Sequence, residues 1–501
     1  MPPEAEKLYQ FAKVEALLRQ HPGVCAAKVS CEDPGRDDLT AYVLPHDQYL
    51  GLSSTEADEE RKRIQRWRKT FDLTQMGKVT SASEPDFNIA GWNSSYTRKP
   101  IPSHEMREWV EQTVAEITSL QPKEILEIGC GTGLLLLRLA PHCKRYVATD
   151  FASAVLQKLR TQMDQMVGSW NGVDLLERPG DNFEGLAESS FDTVVINSVT
   201  HYFPNASYLT KVMEGAARLL RPGGNIFIGD VRSLPLLETY ATSVEVYQAA
   251  PEMEVAELRE LVARRVKQEE QLVISPAFFL ALAERNPKIS GAEIRLKRGR
   301  SDNEMTRFRY DVVLHAAGKQ NVNTEVEWRD WTEDGGGIED VRRSLKNKKA
   351  GRVAISGICN ARVEKDVESV RRVSDPGARG TADELKKELE AAEPSGISPE
   401  GLCSAGEDAG YRVELSWAGC QADGSFDAVL SRSDGAAEEW KPLKWPQPST
   451  TGVELARYTN VPGQNAFRER LVQKLLSHCK QNLPENLVPS AVVVVDALPR
   501  R

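Results

Sequence analysis

Three glycines at alternate positions constrain this chain more than any other feature. The run Glu127-Ile-Gly129-Cys-Gly131-Thr-Gly133 overlaps the end of an apolar stretch, ILEI at 125–128, and precedes a stretch with a helical pattern. Glycine has no Cβ, so it allows sharp turns and a close approach of the backbone to a ligand. The first N–H groups of a helix would face that ligand. The pattern predicts a strand, a ligand-binding loop and a helix, with a purely structural tight turn as the alternative.

Further apolar runs alternate with helical patterns after this loop, which is typical of a parallel sheet covered by helices on both faces. A helix is also predicted over 103–120, with Ser103 as its N-cap. A second helical stretch is predicted over 254–286. The predicted strands are 146–149, 173–176, 191–198 and 225–229, followed by a closing pair at 292–297 and 307–315. The fold class predicted for this region is therefore α/β with a mostly parallel sheet.

Composition and motif content exclude several classes of function. Position 134 is Leu, so the GxGxxG fingerprint of dinucleotide-binding folds is not met. Lys and Arg number 64 against 73 Asp and Glu, a net charge of −9, which argues against binding to nucleic acid. The eight cysteines form no CxxC pair, so no metal site is expected. No apolar run reaches 18 residues and the N-terminus has no signal-peptide pattern. We therefore expect a cytoplasmic protein without a membrane anchor.

Two acidic positions extend the glycine loop into a nucleoside site. Asp150 ends the second predicted strand, where a carboxylate can accept hydrogen bonds from both ribose hydroxyls. The triplet Asp181-Asn182-Phe183 follows the third strand. It is predicted to hydrogen-bond the adenine amino group and to pack on the ring, and an ordinary turn is the alternative. Ligands of such sheets bind at the carboxyl ends of the strands, where all these features lie.

The GxGxG loop with its preceding acidic residue, Glu127, resembles motif I of S-adenosylmethionine-dependent methyltransferases. This resemblance implies S-adenosylmethionine as cofactor. It also implies a cofactor-binding role for Glu127, Gly129, Gly131, Gly133, Asp150, Asp181, Asn182, Phe183 and Asn197.

Longer stretches resemble the N-methyltransferase domains embedded in nonribosomal peptide synthetases, and together they cover about 60–316. They begin at Asn197 (NSVTHYFP), Gly229 (GDVRSLPLL), Glu269, Pro276 (PAFF), Leu296 (LKRG), Asn303 and Phe308 (FRYDVV). Residues 12–45, with a helix and two strands around a DPGRDD turn at 33–38, resemble the start of the small C-terminal part of an adenylation domain. Residues 483–499 resemble a later segment of that part.

The resemblance implies a Rossmann-like methyltransferase over 60–316, with an N-terminal helical part at 60–120 and a core at 121–316. Residues 317–445 would form an accessory α/β region. Residues 12–45 and 465–501 would form a split α+β fragment of the adenylation subdomain. The polar composition of residues 46–60 predicts a linker after the first piece. The implied reaction is methyl transfer to the α-amine of an aminoacyl thioester on a peptidyl carrier protein, with the rest of the synthetase as a further partner. The chain is not expected to activate amino acids itself.

Candidate catalytic residues lie beyond the fourth and fifth strands of the predicted sheet and in the segment that follows. They are Asn197, His201, Tyr202, Arg232 and Glu269, together with Asp230. His201 stands where the family has Gln, so it either accepts a proton near neutral pH or replaces the hydrogen bond of the amide. Arg232 is alternatively a surface ion pair and Glu269 alternatively lies on a solvated helix face. No single base is assigned.

Two other classes of function stay open from the residues alone. One is a methyltransferase that acts on carbon, on oxygen or on a side chain, since the glycine loop is shared by all of these. The other is a non-catalytic insertion, against which the complete set of glycines and Asp150 argues.

Overall fold

The computed structural model divides into two compact units, which are described separately. The end unit draws on Met1–Lys62, Lys267–Gln271 and Val461–Arg501, and the central unit on Arg63–Val266 and Leu272–Asn460. The predicted turn at 33–38 and almost all of the predicted linker at 46–60 lie outside the described residues. The described residues are 3–31, 39–46, 63–69, 86–166, 170–318, 326–331, 337–347, 351–392, 395–419, 421–432, 443–495 and 498–499.

Helices and strands alternate through most of the chain. The strands are β1 (Val24–Cys31), β2 (Leu39–Pro45), β3 (Glu124–Ile128), β4 (Arg145–Asp150), β5 (Val173–Glu177), β6 (Phe191–Asn197), β7 (Leu220–Arg232), β8 (Ile289–Leu296), β9 (Arg309–Ala316), β10 (Trp328–Asp330), β11 (Arg352–Ile358), β12 (Tyr411–Ser416), β13 (Phe426–Arg432) and β14 (Ala491–Val494). The helices are α1 (Pro3–Gln20), α2 (Ser103–Ser119), α3 (Leu136–Leu139), α4 (Ser153–Gln165), α5 (Ala206–Leu219), α6 (Leu237–Gln248), α7 (Val255–Lys267), α8 (Pro276–Arg285), α9 (Glu304–Phe308), α10 (Ile338–Asn347), α11 (Glu364–Ser374), α12 (Ala382–Ala391), α13 (Pro399–Asp408) and α14 (Gln464–Asn482). Residues 63–69 are also helical.

The central unit is built on one large sheet, with the strand order β10-β11-β13-β12-β8-β9-β7-β6-β3-β4-β5. Five adjacent strands, from β7 to β5 in that order, are mutually parallel. Most residues of β3, β4 and β6 are buried, as expected of strands covered on both faces. The predicted α/β fold with a parallel sheet at its centre is confirmed, and β8 and β9 form the predicted closing antiparallel pair.

The accessory region continues this sheet. β12 joins β8 at a single antiparallel pair, Ser416 with Arg295. β13 and β11 then add antiparallel neighbours, and β10 runs parallel to β11. Strands β10 to β13 and helices α10 to α13 lie in this region, so it contains both kinds of element.

One local prediction about helices is wrong. Ser103 is the first residue of α2, and the preceding Pro102 takes the cap position without any side-chain hydrogen bond. The stretch 254–286, predicted to be helical, contains the two helices α7 and α8, separated by residues 268–275. The residue before a proline is disfavoured in helical conformation, so α8 does not extend before Pro276. Ser275 instead caps α8, and its side chain accepts a hydrogen bond from the N–H of Ala277, with Pro276 at the first helical position.

In the end unit the two ends of the chain share one small sheet, ordered β1-β2-β14. β1 and β2 form an antiparallel hairpin, and β14 pairs in parallel with β2 from Thr40–Ala491 to Val43–Val494. Leu18 of α1 and Leu475 of α14 are fully buried in the same apolar cluster. This contact between the two ends is the one that the resemblance to a split subdomain implies.

Candidate functional site

The glycine loop leaves the carboxyl end of β3. Gly129, Gly131 and Gly133 have φ angles of +80°, +50° and +81°, in the left-handed region that disfavours other residues. A Cβ at Gly129 would lie 2.5 Å from Cγ2 of Val199, and one at Gly133 would lie 2.5 Å from Cδ1 of Leu159. The backbone conformation therefore favours glycine at both positions, and a Cβ would also displace the side-chain ends of Val199 and Leu159.

The predicted helix after the loop is present but short. α3 has only four residues and is followed by a 3₁₀ turn, Ala140–His142, that contains Pro141. Proline has no N–H to donate and its ring clashes with the preceding helical turn, so it ends the α-helix there. The loop backbone, rather than a long helix, is the main feature at this end of β3.

Asp150 lies at the carboxyl end of β4 and faces the glycine loop. Its Oδ2 accepts a hydrogen bond from the N–H of Gly131 at 3.0 Å, and its Oδ1 accepts one from the N–H of Ala152 at 2.9 Å. A carboxylate can accept about four hydrogen bonds, so these contacts orient Asp150 and are compatible with its predicted role toward a ribose.

The predicted adenine triplet is tied to helix α5. Asp181 accepts a hydrogen bond from the hydroxyl of Tyr208 at 3.0 Å. The ring of Phe183 lies so close to Gly215 that a Cβ there would be 2.0 Å from Cε2. The side chain of Asn182 accepts a hydrogen bond from the backbone two residues later, as in an ordinary turn. The contact of this triplet with adenine stays a prediction.

Glu127 is buried beneath the loop and its observed partner is a tyrosine. Tyr146 donates a hydrogen bond to its Oε2 at 2.8 Å. Burial raises the pKa of Glu127 from 4.5 to about 7, the hydrogen bond from Tyr146 opposes this shift, and the charge of Asp150 adds to it. A role of Glu127 toward a cofactor stays a prediction.

The ends of β6 and β7 carry unusual backbone. Ser198 and Asp230 are not glycines but have φ angles of +57° and +64°. Asp230 lies in a bulge of β7, where the register against β9 shifts between Ile228 and Val231. Sparsely populated conformations and bulges of this kind gather at functional sites, where surrounding contacts hold them in place.

Several buried polar atoms follow these two strands without a hydrogen-bond partner among the described residues. They are Oδ1 of Asn197, Oγ1 of Thr200, Nδ1 of His201 and Oγ of Ser233. A Cβ at Gly229 would lie 2.0 Å from Oδ1 of Asn197, so glycine is needed beside it. Buried polar groups are nearly always paired in proteins, so this cluster is suited to a polar ligand.

His201 is neutral in this environment. Burial lowers its pKa from 6.5 to about 3, and the charges of Arg309 and Arg232 lower it further against the opposing effect of Asp230. This lowered pKa favours the alternative in which His201 is a neutral hydrogen-bonding group, and its role stays a prediction. Its neighbour Tyr202 packs edge-on against Trp67, with ring centroids 4.9 Å apart.

The two remaining catalytic candidates lie in different surroundings. Arg232 is buried, and its guanidinium lies 5.1 Å from the ring centroid of Tyr240, so the surface ion pair is excluded. Glu269 follows the end of α7 and belongs to the end unit. Its carboxylate accepts a hydrogen bond from the N–H of Gln271 at 2.9 Å. Glu269 is thus off the helix, which excludes the helix-face alternative, and it is described separately from the central site.

Some residues of the site are not among the predicted ones. Arg309 forms an ion pair with Asp230 at 2.6 Å. Glu304 accepts hydrogen bonds from the N–H and the hydroxyl of Ser95, at 2.8 and 2.9 Å. Arg309 lies in the stretch FRYDVV, which resembles the family, but the sequence analysis assigns it no role.

The described residues contain no group of three or more His, Cys, Asp or Glu side chains placed to hold a metal ion. Within the same part of the chain, no helix has the length and apolar character needed to cross a bilayer.

The raised pKa of Glu127 predicts a pH dependence of stability. The folded chain binds this proton more tightly than the unfolded chain, so the free energy of unfolding should fall as pH rises from about 4.5 to about 7. Glu127→Gln should remove this part of the loss, whereas Glu188→Gln, at an exposed position, should not. Urea unfolding of the parent and both variants across this pH range measures the free energy of unfolding at each pH. If the free energy falls with pH equally in the parent and in Glu127→Gln, the pKa of Glu127 is not raised in the folded chain.

Removing the carboxylate of Asp150 should weaken the binding of S-adenosylmethionine. Asp150→Ala should weaken the affinity by about 1–3 kcal/mol, or about 5- to 150-fold in Kd, the usual cost of a lost hydrogen bond to a charged group. Isothermal titration calorimetry measures Kd, and thermal unfolding checks that the variant is folded. Asp174→Ala, which removes an exposed carboxylate from the neighbouring strand β5, is the matched control. An unchanged Kd for Asp150→Ala would remove Asp150 from the site.

Comparison with known proteins assigns this region to a family. A family model described as a methyltransferase domain matches residues 126–226, which include the glycine loop, Asp150, β6 and the first part of β7. Chondramide synthase cmdD of Chondromyces crocatus is 36% identical over 504 residues, which cover 98% of this chain and 13% of that protein. The nonribosomal peptide synthetase CymA of Salinispora arenicola is 32% identical, with 97% and 6% covered. Cyclosporin synthetase of Tolypocladium inflatum is 26% identical, with 97% and 3% covered.

The chain therefore spans only a small part, 13% or less, of the length of these relatives. The family match coincides with the loop and strand ends described above, and the cofactor of this domain is S-adenosylmethionine, as the sequence predicts. The chain contains an S-adenosylmethionine-dependent methyltransferase domain, within a sequence that is homologous over nearly its whole length to nonribosomal peptide synthetases.

Proposed function

We propose that this chain transfers a methyl group from S-adenosylmethionine to the α-amino nitrogen of an aminoacyl thioester on a peptidyl carrier protein. The observation that carries the proposal is Oδ1 of Asn197, a buried acceptor without a partner among the described residues, at the carboxyl end of β6. An amine is a donor that matches it. Homology to nonribosomal peptide synthetases supports an amino acid on a carrier as the source of that amine.

The residues of the glycine loop fit the cofactor. The positive φ angles and close packing of Gly129 and Gly133 keep the end of β3 free of side chains, so that a ligand can approach the backbone. Asp150 is held at the same edge by the N–H of Gly131 and can serve a ribose. When bound, S-adenosylmethionine supplies an activated methyl group on a sulfonium with a good leaving group.

The chain's own contribution is to hold the amine in its neutral form and in the right place. A free α-amino group has a pKa of about 7.7–8.0, so part of it is neutral near pH 7. The charges of Arg309 and Arg232 that lower the pKa of His201 would favour the neutral form of an amine placed beside it. Asn197 would accept one N–H of that amine and orient it. Such orientation supplies much of the rate when the leaving group is already good.

The proposal extends to the arrangement of the larger protein. Residues 12–45 and 465–501 would be two parts of an adenylation subdomain, between which the methyltransferase at 60–316 and its accessory region at 317–445 are inserted. The carrier protein and the remainder of the synthetase would be partners, and the cytoplasm the site of action. The shared sheet of β2 and β14 supports the joining of the two end segments.

Mass spectrometry of an aminoacyl carrier protein tests the reaction. The chain is incubated with S-adenosylmethionine and a panel of loaded carrier proteins, and fragmentation locates the methyl group. We expect it on the α-nitrogen, with free amino acids as poor substrates because the binding energy of the carrier is missing. Methyl on carbon, oxygen or a side chain, or equal rates on free and tethered amino acids, would overturn the proposal.

Asn197→Ala should lower kcat about 100-fold, because the amine loses its orienting acceptor, while the Kd for S-adenosylmethionine changes little. Asn171→Ala, at an exposed turn before β5, is the control and should behave like the parent. If Asn197→Ala methylates at the parent rate, as the control does, Asn197 does not hold the amine.

His201→Gln tests the neutral imidazole. Because the pKa of His201 is about 3, the variant should keep the pH–rate profile of the parent between about pH 6 and 9. If the rate of the parent changes with pH near pH 7 and the rate of His201→Gln does not, His201 takes up the proton.

A further inference from the structure

The carboxylate of Asp230 connects three elements of the central unit. Its Oδ2 accepts hydrogen bonds from the hydroxyl of Ser198 and from Nη1 of Arg309, both at 2.6 Å. Its Oδ1 accepts a longer one, 3.3 Å, from Nε1 of Trp109. These donors come from the residue after β6, from β9 and from α2, and Asp230 itself is fully buried. The contacts fix this carboxylate in one orientation.

The backbone of Asp230 is held as firmly as its side chain. Its N–H donates to Oδ1 of Asp311 at 2.7 Å, and Asp311 in turn pairs with Lys297 at 3.0 Å. Two buried carboxylates are thus balanced by two cations, Lys297 and Arg309. Removing one partner of such a pair leaves a buried charge unbalanced, so Asp230 cannot shift without disturbing its neighbours.

Ser198 depends on this carboxylate. It has a φ of +57°, a conformation that a non-glycine residue adopts only when its surroundings hold it there. Its hydroxyl donates to Asp230, and its N–H donates to the carbonyl of Gly229 at 3.1 Å. Two hydrogen bonds to adjacent residues of β7 therefore hold the turn that immediately follows Asn197.

We propose that Asp230 is a positioning residue for methyl transfer, which acts through Ser198 to hold the acceptor oxygen of Asn197 toward the amine; the inference rests on the proposed function. Asp230 itself has no role in proton transfer. Its burial would raise its pKa, but Arg309 and Lys297 hold the pKa at about 2, so it stays a carboxylate throughout the working range.

Two variants and their combination test this proposal in the whole chain with a carrier-bound substrate. Asp230→Asn should lower kcat about 30- to 100-fold and Ser198→Ala about 10-fold, with the Kd for S-adenosylmethionine changed less than about threefold. If both act through one contact, the double variant should be no slower than Asp230→Asn alone. Ser189→Ala is the matched control, because Ser189 has a φ of +53° but is exposed and lies before β6.

Hydrogen exchange gives a readout that does not need catalysis. In both variants the peptide covering 193–204 should exchange faster than in the parent, since the turn at Ser198 loses the contact between its hydroxyl and the Asp230 carboxylate. The glycine-loop peptide covering 124–137 should not change. If Asp230→Asn does not fold, Ser198→Ala carries the test, because it removes only a hydroxyl.

The outcomes separate this inference from the proposed function. If the parent binds S-adenosylmethionine but methylates no carrier-bound amine, the proposed function fails. If the parent is active and Ser198→Ala matches it in kcat and exchange, or if the two substitutions multiply as independent effects, the positioning role of Asp230 is overturned.

Discussion

The change of direction in strand order at β3 is the constraint on which the site depends. β4 lies on one side of β3 and β6 on the other, so the connections that leave these strands diverge and open a crevice at their carboxyl ends. The glycine loop, Asp150 and Asn197 each follow one of these strands. None of them is near another in sequence, and the parallel register of the sheet alone brings them to one edge.

Electrostatics at this edge is set by buried pairs rather than by solvent. Asp230 with Arg309, and Asp311 with Lys297, form two buried ion pairs under the strand ends, and the buried Arg232 adds a further cation. An isolated buried charge would be costly, so the members of each pair need each other. Burial and the charges of Arg309 and Arg232 lower the pKa of His201. Surroundings of this kind would favour the neutral form of the amine in the proposed reaction.

Local backbone requirements were readable from the sequence, and contacts over long distances were not. Gly129, Gly131 and Gly133 are recognisable because no other residue allows that turn, and the strands because their apolar runs are long. The partners of Asp230 lie 121 and 79 positions away at Trp109 and Arg309, where no local pattern reveals them. The N-cap at Ser103 failed because a local preference competes with the neighbouring proline. The short α3 could have been anticipated from Pro141.

The pairing of β2 with β14 has a consequence for how the protein is made. Thr40 and Ala491 are neighbours in the small sheet, yet 451 positions separate Ser490 from its hydrogen-bond partner Leu39. At about 5–20 residues per second, a ribosome needs about 20 to 90 s to synthesise the intervening chain. During that time the β1–β2 hairpin has an unpaired edge, and only α1 can cover its apolar face. The fraction of chains that fold the end unit correctly would then depend on what protects the hairpin during synthesis. A chaperone bound to the nascent chain could do this, and so could early folding of the central unit.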